Sequence, residues 1–274
     1  MSVHERKRGR AAIAVSASAV ALAGCGGAAD RPAQPSPTRS PDATPPPADP
    51  ATELTALRGE LLPAIGAWRR TGGPLPAAVA RPARRQQVIY RRLTRHPKVA
   101  RRTLRRLHGA AREDAADIIA AQRALRILNA PFRKAHLKLR IGRPEPADRL
   151  LAHYREARAR SWVGVPLLAA VNLVESYFGR LRNDSVAGAQ GPMQFIPATW
   201  ARYGNGGDVH DPRDAILGAA RFLHAAGAPA RPRRALFAYN PSPLYVTAVT
   251  RYATVIRRDL RAFYAFYAWR PPVP

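Results

Sequence analysis

The chain has 274 residues, with 45 Lys and Arg against 18 Asp and Glu and a net charge of +27. A single cysteine excludes an intrachain disulfide framework. A field this positive favours anionic partners over basic ones. Nucleic acid is the first polyanion such a balance suggests, but the amino-terminal residues argue against it.

Met1 to Arg10 carries Arg6, Lys7, Arg8 and Arg10 and is followed by the Ala/Val-rich run Ala11 to Ala23. A basic head and a short apolar run make a secretory signal, and the run is too short to span a bilayer as a helix. It ends in Leu22-Ala23-Gly24-Cys25, which resembles a bacterial lipobox. The expectation is a signal peptide over residues 1–24 and lipid attachment at Cys25. The chain would then be exported and anchored at the outer face of the cytoplasmic membrane or elsewhere in the cell envelope. There, wall polyanions, peptidoglycan carboxylates and anionic headgroups are better partners than nucleic acid. Lysine occurs only as Lys7, Lys98, Lys134 and Lys138; Ala, Arg, Gly and Pro richness of this kind also follows genomic base composition, whereas the charge is physical whatever its origin.

Residues 25–50 read as a linker. Pro32, Pro35, Pro37, Pro41, Pro45, Pro46, Pro47 and Pro50 are interleaved with Ser, Thr, Ala and Asp, a composition that buries no core. At about 3 Å per residue, Asp30 to Pro50 gives a tether on the order of 60 Å.

Residues 51–143 are predicted to be helical. Leu54, Leu57, Leu61, Leu62 and Ile65 mark one stripe; Val88, Ile89, Leu93, Leu104 and Leu107 mark others; Ile118, Ile119, Leu125, Ile127 and Leu128 mark a further helix. Gly72-Gly73-Pro74 and Pro82 are expected to punctuate them. Arginines crowd Ala83 to Leu107. They serve either as a patch for an anionic surface or as solvated faces whose stems cover the core edge. His96, His108, His136 and His153 show no metal-ligand spacing, and no metal or cofactor is expected.

Residues 144–274 are predicted to be a second all-α region. Ala147 to Arg160 is amphipathic. Pro166 suits the first turn of the next helix and Gly179 its exit, with Leu167, Leu168, Val171, Val174 and Phe178 at helical spacing. Glu175 falls in its last turn among apolar neighbours. The helix-end dipole and those neighbours both disfavour another negative charge, so a raised carboxyl pKa is expected, as a general acid needs near neutral pH. Taken alone, a glutamate at a helix end is a solvated residue. Pro197-Ala198-Thr199-Trp200 starts a short helix. Asp211 caps another with Pro212 at its first position and Ile216, Leu217, Ala220 and Leu223 on its apolar face. Arg234 to Ala238 gives a further helix, and Ser242-Pro243 opens a long one running to Phe263, Tyr264, Phe266, Tyr267 and Trp269.

The pieces Glu175-Ser176, Ser185, Ala187-Gly188-Ala189-Gln190-Gly191-Pro192-Met193-Gln194-Phe195, Pro197-Ala198-Thr199-Trp200, Asp211-Pro212-Arg213-Asp214-Ala215-Ile216, Ala238-Tyr239-Asn240 and Tyr245-Val246 occur in this order. This succession resembles the lytic transglycosylases, and its last pieces look most like their membrane-bound B-type branch. The resemblance implies an all-α, lysozyme-like domain that cleaves peptidoglycan glycan strands without water. Glu175 would serve as acid and then base, the substrate N-acetyl group would assist departure, and the product would carry a 1,6-anhydro end. It assigns Tyr239 to a hydrogen bond that orients the Glu175 carboxyl, with Asn240 beside it. Gly188 and Gly191 would let backbone approach a saccharide. Gln190 belongs to the same glycine-rich motif and is grouped with Ser176, Gly188, Gln194, Tyr203 and Asn240 as substrate-binding residues. Gln194 offers donor and acceptor to an acetamido group or to loop backbone. Ser176 would bond near Glu175 or satisfy the helix end. Trp200 and Tyr203 are candidates for stacking on sugars or for the core. Met193 and Phe195 read more readily as core. A lysozyme-type hydrolase would instead need a second carboxylate, for which Asp184, Asp208, Asp211 and Asp214 are candidates. A wall-binding protein without catalysis is the third reading. The segment Tyr203 to His210 lacks the spaced acids of a calcium loop.

Overall fold

A computed structural model describes residues 49–132 and 139–271. Cys25, the residues 1–24 signal and most of the proline-rich linker lie outside the described residues, as do Lys134, His136 and Lys138. Among the described residues the structure is all-helical, with two isolated β-bridges, Ile141 to Leu181 and Gln190 to Phe195, and no strand.

Eleven helices follow one another among these residues: α1 Pro50–Thr71, α2 Ala77–Arg95, α3 Pro97–Arg106, α4 Gly109–Leu128, α5 Ala147–Ser161, α6 Val165–Ser176, α7 Pro197–Tyr203, α8 Pro212–Ala225, α9 Pro232–Tyr239, α10 Pro243–Arg258 and α11 Arg261–Tyr267. Proline sits in the first turn of α1, α3, α6, α7, α8, α9 and α10, where its missing N–H has no intrahelical partner to lose. Three starts carry side-chain caps: Asp49 accepts from Ala51 N and Thr52 N, Asp211 from Asp214 N, and Ser242 from Tyr245 N.

Three expectations are corrected. Pro82 lies inside α2 with its ring buried and does not divide the chain; the helix runs on without one ladder bond. The helix expected from Ser242 to Trp269 is two, because Asp259 leaves helical geometry. Its carboxylate accepts from the Arg261 backbone N–H at 2.9 Å and from the Arg261 guanidinium, a local alternative to the helix ladder. Val88 and Ile127, read as part of apolar stripes, are exposed; the inward face of α2 is set by Val79, Ala83, Gln86, Tyr90 and Leu93.

One hydrophobic core runs from Ala51 to Trp269. It joins the amino-terminal helices to the carboxy-terminal ones: α4 lies along α10, and α1 and α2 pack on α11. Charge reinforces the α4–α10 contact. Asp114 pairs with Arg58 at 2.8 Å and with Arg258 at 2.9 Å, and Asp117 pairs with Arg251 at 2.7 Å and with Arg258. Trp68 meets Tyr264 edge-on at 5.3 Å, and Trp269 meets Phe266 at 4.6 Å and Tyr252 at 6.2 Å. The consequence for function is positional. Helix α10, which reaches the candidate site with its first turn, is held along its length by α4.

Candidate active site

Helix α6 is buried over Leu168 to Leu173, so its last turn is delivered into the interior. Glu175 there is 2% exposed. The helix ends at Ser176, three residues before the predicted exit at Gly179. Tyr177, Phe178 and Gly179 then all take left-handed geometry (φ 52°, 62° and 78°). Left-handed backbone at a bulky residue is costly. Here the Phe178 ring is buried, edge-on to Phe263 at 5.4 Å. Helix-closing bonds run from Tyr177 N to Leu173 O and from Phe178 N to Asn172 O, both at 3.1 Å.

The group that meets the Glu175 carboxyl is Tyr245, in the first turn of α10. Its hydroxyl donates to Glu175 Oε1 at 2.6 Å. Tyr239, expected in that role, donates instead to the backbone carbonyl of Met193 at 2.6 Å. Its ring lies parallel to that of Tyr245, 6.4 Å away and 4° apart. Burial, followed by the nearby Glu175 charge, pushes both phenols well above the ordinary tyrosine range. Both therefore stay protonated and act as donors. Tyr245 belongs to the Tyr245-Val246 piece of the motif succession. The signal that marks it is a tyrosine in the first turn after a Ser-Pro cap, on the helix that crosses α6.

The loop between α6 and α7 is built by its own polar groups. Ser176, read as substrate-facing, is fully buried; its hydroxyl donates to Pro192 O at 2.6 Å and accepts from Gly179 N at 2.7 Å. It docks the loop on the helix end rather than facing a ligand. Ser185 Oγ accepts from Ala187 N and Ala189 N, folding Ser185 to Ala189 into a tight turn. Gly188, at φ 76°, has open space where a side chain would stand, which fits close approach by a sugar. Gly191 has a different cause: a Cβ there would lie 1.9 Å from the Val209 carbonyl oxygen. It permits approach of protein backbone. Gln190 is half-buried and exchanges backbone bonds with Phe195 at 2.9 Å. The Gln194 amide goes to loop backbone, donating to Gly191 O at 3.0 Å and Asn183 O at 3.4 Å.

Met193 and Phe195 are both core residues. Trp200 packs on Phe195 at 5.2 Å and presses on Gly218, where a Cβ would meet its ring at 2.7 Å. Tyr203 is half-buried, edge-on to Phe222 at 5.1 Å. Asn240 is 1% exposed, and neither side-chain polar atom has a hydrogen-bond partner among the described residues. Of the candidate second carboxylates, Asp208 accepts from His210 N, Asp211 from Asp214 N, and Asp214 from Asp208 N. These three close their own loop, while Asp184 is exposed.

Residues 153–254 match the family model of the transglycosylase SLT domain. This part of the chain belongs to that family. No curated protein and no solved structure matches the chain. The SLT domain, a lysozyme-like fold of the lytic transglycosylases, runs from within α5 to within α10. It therefore holds Glu175, Tyr239 and Tyr245, and leaves α1 to α4 and α11 outside. The match supports a lytic transglycosylase-type function acting on peptidoglycan.

Proposed function

We propose that the chain cleaves the MurNAc-GlcNAc β-1,4 bond of peptidoglycan without water, leaving 1,6-anhydroMurNAc ends, with Glu175 as the only catalytic carboxyl. The observation that carries this is the burial of Glu175 at the end of α6 with a phenol donating to it at 2.6 Å. Burial works against charge on a carboxyl and favours the protonated acid. The Tyr245 bond holds one oxygen and steadies the carboxylate once the proton has left.

In the first step the Glu175 proton passes to the glycosidic oxygen and the C1–O bond breaks. The carbonyl oxygen of the substrate N-acetyl group bonds to C1 as the leaving sugar departs. In the second step the Glu175 carboxylate takes the proton of the C6 hydroxyl, O6 bonds to C1, and the acetamido oxygen leaves. Glu175 ends protonated, ready for another cycle. Asp208, Asp211 and Asp214 are occupied in their own loop, which favours this route over a hydrolase needing a second carboxylate.

Tyr239 acts here as a positioning residue: through Met193 O it fixes the loop that carries Gly188, Gln190 and Gln194. The order of motifs through Ala238-Tyr239-Asn240 and Tyr245-Val246 supports placement nearest the B-type branch. The basic and apolar pattern of residues 1–24 and Cys25 supports export and lipid anchoring. No helix among the described residues is long and apolar enough to cross a membrane. Residues 51–143 would form the region that braces α10, most of which lies within the SLT domain.

The test is turnover of sacculi by Glu175→Gln. That variant keeps its fold and binding and releases soluble fragments at least about a hundredfold more slowly. Digestion at the unaltered rate would remove Glu175 from the chemistry.

A further inference from the structure

Arg180, just past the left-handed exit of α6, is only 9% exposed, yet it pairs with no carboxylate among the described residues. Its guanidinium lies 4.7 Å over the Tyr267 ring and donates to Tyr177 O at 3.3 Å. Arg84 and Arg270 act on its charge, and Arg91 reaches the side chain of the same Tyr177. Arg84 on α2 donates to Ala268 O at 3.4 Å, Arg91 on α2 donates to Arg270 O at 2.9 Å and reaches the Tyr177 phenol, and Arg270 follows on from α11. Burial first, and then the charges of Arg84 and Arg270, push Arg180 down to about 10 despite the helpful Tyr267 ring; Arg84 is lowered by burial and by Arg270. The acids that act on Tyr267 are already engaged, Glu145 by Arg149 and Asp148 by Tyr264.

Like charges that act on one another, with Arg180 buried and Arg84 and Arg91 half-buried and no paired carboxylate among the described residues, oppose the fold unless something gains from them. Each guanidinium carries five N–H donors, and the backbone carbonyls at 177, 268 and 270 use a fraction of these. The cluster also has a defined place. Tyr177 is two residues beyond Glu175. Tyr252, which lies within reach of Tyr177 and Arg91, is seven residues beyond Tyr245 on α10, about 10 Å along the axis at 1.5 Å per residue. A peptide of three extended residues spans about that distance.

We infer that Arg84, Arg91, Arg180 and Arg270 form a receptor for the carboxylates of the peptide stems borne by the glycan, placed roughly two helical turns from the cleaved bond. This rests on the peptidoglycan reading of the site. It gives the amino-terminal helices a task, since α2 supplies two of the four cations. A planar guanidinium matches a carboxylate in two-point geometry, which is why arginine rather than lysine suits it.

The experiment is titration calorimetry of the full chain, at low salt, with a disaccharide-peptide too short to be cleaved. The ligand is used once with free carboxylates and once with all of them amidated. The free acid should bind about tenfold more tightly, as charge-assisted bonds require. The double variant Arg84→Gln/Arg270→Gln, at a half-buried and an exposed position, should reduce that preference to less than about threefold while leaving the amidated ligand's affinity alone. Arg180→Lys should keep part of it. Equal affinity of the native chain for the two ligands overturns the inference, as does a preference that survives in the double variant. A chain that distinguishes the ligands but yields no anhydro product from sacculi keeps this receptor and loses only the proposed reaction.

Discussion

The Tyr245 hydroxyl and Glu175 Oε1 stand 2.6 Å apart across 70 residues of sequence. This bond joins the last turn of α6 to the first turn of α10, so the proposed catalytic geometry depends on how those two helices cross. A hydrogen bond to a charged group is worth about 1.5–3 kcal/mol. Tyr245→Phe should therefore lower kcat about ten- to a hundredfold, with a circular dichroism spectrum and KM close to native. Tyr239→Phe, which loses a bond to the Met193 carbonyl and none to the carboxyl, should cost about 1 kcal/mol of stability and lower kcat less than Tyr245→Phe. The reverse order of the two rates would return the orienting role to Tyr239.

Two glycines of one motif separate backbone strain from steric exclusion. Gly188→Ala places a methyl in open space at φ 76° and should cost about 1–2 kcal/mol, a Tm shift of a few degrees. Gly191→Ala drives a methyl into the Val209 carbonyl and should prevent accumulation of folded protein or lower Tm by several times as much. Thermal unfolding of the pair, compared directly, checks the loop geometry without reference to activity.

How much of this was legible beforehand differs by residue. Helix starts were readable because proline and capping side chains act locally, as at Asp211-Pro212 and Ser242-Pro243. The break at Asp259 was not: its side chain folds onto Arg261, and an apolar stripe that continues to Trp269 conceals it. The place of Glu175 in the last turn of a helix among apolar residues was readable from the spacing around it. Tyr245 lies in the motif succession yet its role was not legible there, because its meaning comes from a helix crossing that no local spacing encodes. Ser176 and Gln194 look like ligand-facing polar groups in sequence, and the fold spends both on loop backbone. The arginines of α2 resemble an ordinary solvated face until Arg180 and Arg270 arrive from distant parts of the chain.

The buried phenols set an alkaline limit on stability. Burial raises the pKa of Tyr154, Tyr239, Tyr245 and Tyr252 in the folded state, whereas the unfolded chain releases those protons near the ordinary value of about 10. Above that pH the unfolded state holds fewer protons than the folded one, so the unfolding free energy falls as pH rises. Urea titrations at pH 8, 9.5 and 10.5 should show a flat response between the first two and a clear drop at the third. Stability that climbs through this range would contradict the burial of these groups.

The α4–α10 ion network should matter more than any surface pair. Arg258 serves both Asp114 and Asp117, which are buried. Arg258→Met should cost about 2–3 kcal/mol, less than a wholly buried pair because the arginine is partly open. Arg149→Met, which breaks an exposed pair with Glu145, should change stability by less than about 1 kcal/mol. Activity of Arg258→Met should fall together with stability, since α10 carries Tyr245.

The most direct test is the mass of the glycan ends released from purified sacculi by the native chain. A single buried carboxyl that acts as acid and then as base leaves anhydro ends, lighter by one water than reducing ends. Products carrying reducing ends would mean that water takes part and that a second group activates it.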